Sequence, residues 1–406
     1  MTVVVHSYEE LKNTTDLDVK VDFEYDPSKK FPMNPHIAHL SFTSKFDTSN
    51  ATNMAYMFLG WITLRRIDLT CFNTSKVKTM RGMFSHCTTL EELDLSNFDT
   101  SNVKDTREMF FNCTDLRSIN LFLFDTSKVK TMSYMFSHCR NLEAPDLSSF
   151  DTRSVEDMRY MFRLCESLQN LDLSSFDTRN VKYMGHMFDG CEKLKTLNLS
   201  SFNTNAVVDM RFMFNDCKRL ASIDISSFDT SNVEDMRCMF KNTCLTSLDL
   251  SNFNTQNVRN MSSMFEGCDC LTSLDLSNFD TQNVYTMYNM FAGDCVLSHL
   301  NISNFDTSNV KNMCGMFLGC MNFKFIDLSS FDTRNVNNMS RMFKDCNSLK
   351  HLTFSTTFDI SSTETMSSMF RDMKLLKINT ANLILADVNA NYRDISVREL
   401  ARKVQS

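Results

Sequence analysis

The side chains best able to do chemistry in this chain stand in columns. Asp or Asn recurs at Asp68, Asp94, Asn120, Asp146, Asp172, Asn198, Asp224, Asp249, Asp275, Asn301 and Asp327, and Thr353 continues the series. On neighbouring parallel strands these carboxylates would lie about 4.8 Å apart. Each pair would repel by about 1 kcal/mol in a water-like dielectric. A column of serines two residues on, from Ser96 to Ser329, can hydrogen-bond the carboxylates and favour their charged form. Three readings stay open: a solvated polar face, a mildly acidic surface for a basic or polar partner, and a row holding calcium. Glycine-rich calcium-binding nonapeptides are absent from the sequence.

The residue two places before each member of that column varies: Arg66, Glu92, Ser118, Ala144, Asn170, Thr196, Ser222, Ser247, Ser273, His299, Phe325 and His351. Its middle is small and bland. Its end gathers two histidines and a phenylalanine, with Met321, Phe323 and Lys324 nearby. An exposed aromatic among polar groups is a common binding anchor. The candidate contact residues are therefore Asp224, Asp249, Asp275, Asp327, His299, Phe325 and His351.

Nothing comparable points to catalysis. His86 and His138 share one position two repeats apart, roughly 10 Å at strand spacing, which is too far for joint metal ligation. There is no Cys-x-x-Cys pair, no phosphate-binding glycine loop and no nucleophile elbow. A non-enzymatic chain without metal or cofactor is expected.

What must position these columns is a repeat. Phe followed by Asp or Asn and Thr recurs at Phe46, Phe72, Phe98 and onward to Phe331, with a worn copy at Phe358, at a period of 26 residues. Such a period marks a solenoid, in which each unit buries its apolar face against its neighbours. Counted from Phe, the consensus is F-D-T-S-N-V-x-x-M-x-x-M-F-x-x-C-x-x-L-x-x-L-D-L-S-x. Apolar slots 6, 9, 12, 13 and 16 (Val77, Met80, Met83, Phe84 and Cys87) predict one face of a short helix. Slots 3 and 4 could cap it, and the slot-2 Asp could close a turn before it. Slots 22 to 24, as in Leu93-Asp94-Leu95, alternate like a strand. The expected fold is an α/β solenoid, with a parallel β-sheet on the concave face and helices on the convex face. Curvature follows because helices are wider than strands.

Fifteen cysteines accompany the repeat, nine of them in slot 16: Cys87, Cys113, Cys139, Cys165, Cys191, Cys217, Cys268, Cys320 and Cys346. Cys244 and Cys295 sit one residue off that slot. Such a column reads as a reduced ladder of small buried side chains. Cross-links between rungs are the lesser reading, because parallel side chains lie alongside one another.

Leu90-Glu-Glu-Leu93-Asp-Leu95 matches the front half of a leucine-rich repeat. Phe98 stands where the usual Asn or Cys ladder residue would be, so its work falls to slots 2 and 3. The combination Phe-Asp-Thr-Ser-Asn-Val, Met-x-x-Met-Phe, Cys and Leu-x-x-Leu-Asp-Leu-Ser resembles the BspA-like leucine-rich-repeat surface proteins, including the 26-residue repeat of mycoplasma surface lipoproteins. That resemblance implies a right-handed leucine-rich-repeat-like array and a role in adhesion or protein binding.

Residues 1–45 are expected to form an amino-terminal cap, 46–378 thirteen repeats, and 379–406 a carboxy-terminal cap ending in a helix that starts near Ser396. A formal charge of −7 argues against nucleic acid or an anionic membrane as partner. No run of 18 apolar residues predicts membrane insertion. Met1 to Glu10 lacks the pattern of a signal peptide, so an intracellular or virion-associated location is expected, with the cell surface open if a leader precedes this sequence. Three irregularities stand out: Pro145 in a strand slot, Thr106 in place of a Met, and a 25-residue step near Asn242-Thr-Cys244; kinks are expected near residues 145 and 244. The expected function is a protein-interaction or adhesion scaffold binding a protein partner on the concave face. The alternative is a structural component of a virion or cell surface.

Overall fold

A computed structural model describes residues 2–373 apart from Ser361, together with the backbone of Lys377–Asn379. The expected terminal cap helix lies outside these residues. The chain forms two compact units, Met1–Ala206 and Val207–Ser406.

The first unit opens with β1 (Val3–Val5), α1 (Tyr8–Asn13), β2 (Asp18–Val21) and β3 (His39–Phe42). Ser7 caps α1 by accepting the Glu10 N–H. Buried Asn34 donates to the carbonyls of Leu11 and Thr14 at its other end. These strands line up parallel, in the order β1-β2-β3, against β4 (Arg66–Ile67) of the first repeat. Then follow β5 (Glu92–Asp94), β6 (Ser118–Asn120) and β7 (Thr196–Asn198). In β5, β6 and β7 the central residue is buried and its neighbours are exposed, the alternation the sequence calls for. The second unit holds β8 (Ser222–Asp224), β9 (Ser273–Asp275), β10 (His299–Asn301), β11 (Phe325–Leu328), β12 (His351–Phe354) and β13 (Lys377–Asn379).

The expected helices are not there. The only α-helix among the described residues is α1. Slots 9 to 16 are instead a run of tight turns. Within a rung, Met83 N–H donates to Met80 O, Cys87 to Phe84 O and Leu90 to Cys87 O, each three residues back. The alternate N–H groups leave the rung: Met80 donates to Asp105 O, Gly82 to Arg107 O, Phe84 to Met109 O and His86 to Phe111 O, at 2.7–3.0 Å. A helix needs every N–H for its own turn, so it cannot make these cross-rung bonds. The turns require positive φ at slots 11 and 15, as at Gly82 (58°) and His86 (62°). The three- and four-residue spacing of buried slots 6, 9, 12, 16 and 19 is thus the spacing of turns. With no helices, the width difference that implied curvature is gone.

The core is built of like residues stacked on like. Phe84, Phe110, Phe136, Phe162 and Phe188 stack with ring centroids 5.3–5.9 Å apart. The slot-3 threonines do the work of the missing Asn ladder. Thr152 Oγ1 donates to Asp177 O and accepts the Asp177 N–H. Slot-2 carboxylates close the adjoining turn, as when Asp99 accepts the Ser101 N–H. The slot-16 thiols are buried and point at carbonyls; Cys87 Sγ lies 3.1 Å from Phe58 O. Burial pushes the Cys87 and Cys139 thiols up to about 12, so they are neutral at pH 7.

One cysteine pair breaks the reduced pattern. Cys244 and Cys270 form a disulfide, with Cα atoms 5.0 Å apart. Neither belongs to the slot-16 column. The short repeat shifts register there: Thr243 lies against Cys268, 25 residues on, whereas Cys244 faces Cys270, 26 residues on. The shift turns two side chains toward each other that a regular array would hold alongside.

The strand ladder lapses where irregularity was expected. No strand forms at 144–146, around Pro145, or in the next rung at 170–172. None forms at 247–249, after the short repeat.

Candidate partner-binding site

Each carboxylate of the outward strand column is pinned by its own turn. Asp224, Asp249, Asp275 and Asp327 accept the N–H of Ser226, Ser251, Ser277 and Ser329 at 2.9–3.1 Å. The Ser226 hydroxyl, with its N–H, holds Asp224 below the usual carboxylate range. The Ser251 and Ser277 N–H groups, with their hydroxyls, do the same for Asp249 and Asp275. Asp224, Asp249 and Asp275 therefore stay charged at neutral pH while one oxygen of each is committed to the backbone.

The seven candidates divide. Asp275, His299 and Phe325 line one shallow groove of about 750 Å³ on the strand face of the second unit. β9 and β10 pair in parallel there, with His299 opposite Ser273 and Asn301 opposite Asp275. β11 belongs to a different ladder, so the groove lies where β10 and β11 part. Phe325 is 52% exposed, far more than a core phenylalanine. His351 is its direct neighbour in the β11–β12 register, and Asp327 stands opposite Thr353. The His299 ring rests against the Ser298 hydroxyl at 2.9 Å. Asp224 and Asp249 lie two and one rungs before Asp275 and do not line the groove.

Nearby residues also sort. Phe323 is buried in a Leu slot, whereas Met321 is 46% exposed. Lys324 lines the groove, and its carbonyl accepts the N–H groups of Lys350 and His351. Asn301, a member of the outward column, and Asn322, which the sequence did not single out, also line the wall. Asn322 stands at slot 18, where neighbouring repeats carry no consistent residue, so it left no signal. The site thus offers an open aromatic face, carboxylate and amide acceptors, one ammonium and two imidazoles. No group of three or more His, Cys, Asp or Glu side chains among the described residues is arranged to hold a metal ion. No described helix is long and apolar enough to cross a membrane.

A family profile described as a Mycoplasma protein of unknown function, DUF285, matches residues 28–122, 117–198, 165–274 and 269–383. The chain belongs to that family. The resemblance of its 26-residue repeat to the mycoplasma type is thereby borne out. No curated protein matches this member of the family. Solved structures similar to it include a leucine-rich cell surface protein from Faecalibacterium prausnitzii, at 15% identity, 90% coverage of this chain, 84% of that one and a TM-score of 0.43. A leucine-rich repeat protein from Bacteroides ovatus matches at 16% identity, with coverages of 89% and 83% and a TM-score of 0.39. One from Eubacterium ventriosum matches at 15% identity, with coverages of 84% and 84% and a TM-score of 0.40.

Proposed function

We propose that this chain is a non-enzymatic protein-interaction or adhesion scaffold that docks a partner on the strand face of its second unit. The observation that carries the reading is Phe325, half-exposed over the groove and in register with His351. A large apolar side chain held in water costs free energy that burial against a partner returns, about 1.5–3 kcal/mol for a full side chain. The strand backbone holds the anchor rigidly, so little ordering is needed on binding. Asp275 and Asn301 at one side, and Lys324 at the other, fix the orientation of what lies across it.

The test is affinity capture from native lysate with cross-linking mass spectrometry, using the full chain and the F325A/H351A variant. Support requires that cross-links fall on β9 to β12 and that the variant folds but loses them. Undiminished capture by the variant, or cross-links confined to other faces, would reject this end as the site.

A further inference from the structure

The first unit carries its own anomaly at Phe122 and Leu123. They occupy slots 25 and 26, the turn just after the strand. In most other rungs slot 26 is Asn or Ser, with Cys71 in the first repeat and Thr357 before Phe358 as exceptions, and its side chain donates to a carbonyl of the preceding rung. Asn97 donates to Leu69 O at 3.0 Å, Ser149 to Leu121 O at 3.0 Å and Ser175 to Leu147 O at 3.3 Å. Leu123 has no donor to offer. Phe122 is 70% exposed and Leu123 61% exposed, so neither packs into the core. The rung forgoes a cross-rung hydrogen bond and holds two large apolar side chains in water. Both changes are unfavourable for the isolated fold, and neither serves stacking.

The surroundings say what could cover them. Phe122 N–H donates to the side chain of Asn120, which lines a groove of about 510 Å³ over β4 to β6. Arg66, Glu92 and Asp94 line the same groove. Asp68 and Asp146 hold the same outward slot in the flanking rungs; Arg65, paired with Glu91, and Arg117 adjoin β4 and β6, so carboxylates outnumber guanidinium groups here. The Ser96 N–H holds Asp94 below the usual carboxylate range, and the Ser148 hydroxyl does so for Asp146. This surface is therefore anionic at neutral pH beside an apolar rim.

We propose that Phe122 and Leu123 anchor a segment of a partner protein that pairs apolar side chains with Lys or Arg. The apolar groups cover the Phe122–Leu123 rim, and the cationic groups lie over Asp94 and its neighbours. This site shares no residue with the groove of the second unit.

The test uses the full chain and fluorescent heptapeptides of alternating Lys and Leu, alternating Glu and Leu, and alternating Lys and Ser, followed by anisotropy. The variant F122S/L123N restores the residues usual at these slots, so its melting temperature should not fall. The Lys-Leu peptide should bind the wild type, weaken with salt, and lose at least tenfold in affinity with F122S/L123N. The other two peptides should bind at least tenfold more weakly. The F325A/H351A variant should retain this binding, which separates the two sites. Failure of the Lys-Leu peptide to bind, equal binding by F122S/L123N, or equal binding of the Glu-Leu peptide overturns the proposal. Co-sedimentation with phosphatidylcholine–phosphatidylglycerol vesicles that depends on Phe122 and Leu123, without peptide binding, overturns it in favour of a bilayer.

Discussion

Thr152 and Asp177 are joined by a reciprocal pair of hydrogen bonds: the Thr152 hydroxyl donates to the Asp177 carbonyl at 2.9 Å and accepts its N–H at 2.8 Å. Thr152 is fully buried. Replacing it with Val keeps the shape but leaves both backbone groups of Asp177 without this partner. The expected cost is about 2–3 kcal/mol for two such groups. Thr152→Ser should retain most of the stability. Urea denaturation of both variants checks this, and equal midpoints for Val and wild type would contradict it.

The Cys244–Cys270 bridge closes a loop with a sequence separation of 26 residues. In the chain-entropy account, a loop of that size stabilises by about 3.5 kcal/mol. Reductant should lower the denaturation midpoint of the wild type and leave C244S/C270S unchanged. Mass spectrometry after alkylation should find the other cysteines free, as in the structure.

Asp294 replaces a cysteine in the slot-16 column and is 1% exposed. One oxygen accepts the Cys268 N–H at 2.8 Å, while the other has no hydrogen-bond partner. Burial raises its pKa well above the ordinary value. The folded state therefore binds this proton more tightly than the unfolded chain, where Asp titrates near 3.9. Its contribution is fully present below that value and is lost as pH rises through the folded-state value. Asp294→Cys restores the column with a side chain neutral at pH 7. It should raise stability at pH 7 by on the order of 1 kcal/mol and flatten its pH dependence. A variant less stable than wild type at pH 7 would refute the account.

Pro145 is buried in a strand slot but has no N–H for the ladder. Pro145→Leu should let a strand form at 144–146 and extend order into 170–172. Amide hydrogen exchange should slow at Leu171 and Asp172, and no change there would show that another feature interrupts the sheet.

Much was legible in the residues themselves. Slot 24, most of slot 22, the Phe and Met-Phe positions of the regular repeats and the Cys column fall in the core, and slots 2 and 3 take over the ladder work of the missing Asn. The helix expectation failed for an identifiable reason. Seven of the eight glycines lie at slots 11 and 15 with positive φ, a pattern that ends helices rather than continuing them. The apolar spacing hid this, because turns of three residues and a helix both bury every third or fourth side chain. At the candidate site, Phe325 and His299 stood out as departures from a bland column. Phe122 and Leu123 depart from a polar column just as plainly. They escaped notice because slot 25 lies just past the strand and looks like part of the apolar run from Leu121 to Phe124.

The sequence by itself determined the stack: period, core columns, polar faces and the places where regularity breaks. Those follow from side-chain identity alone, since like slots must meet like slots at every rung. The tertiary structure decided where the backbone N–H groups go, and so replaced helices with cross-rung turns. It also decided that Cys244 meets Cys270, that Asp275, His299 and Phe325 share a groove, and that Asp224 and Asp249 stand apart from it. These depend on the register between rungs, where one residue of slip turns a side chain from alongside its neighbour to facing it.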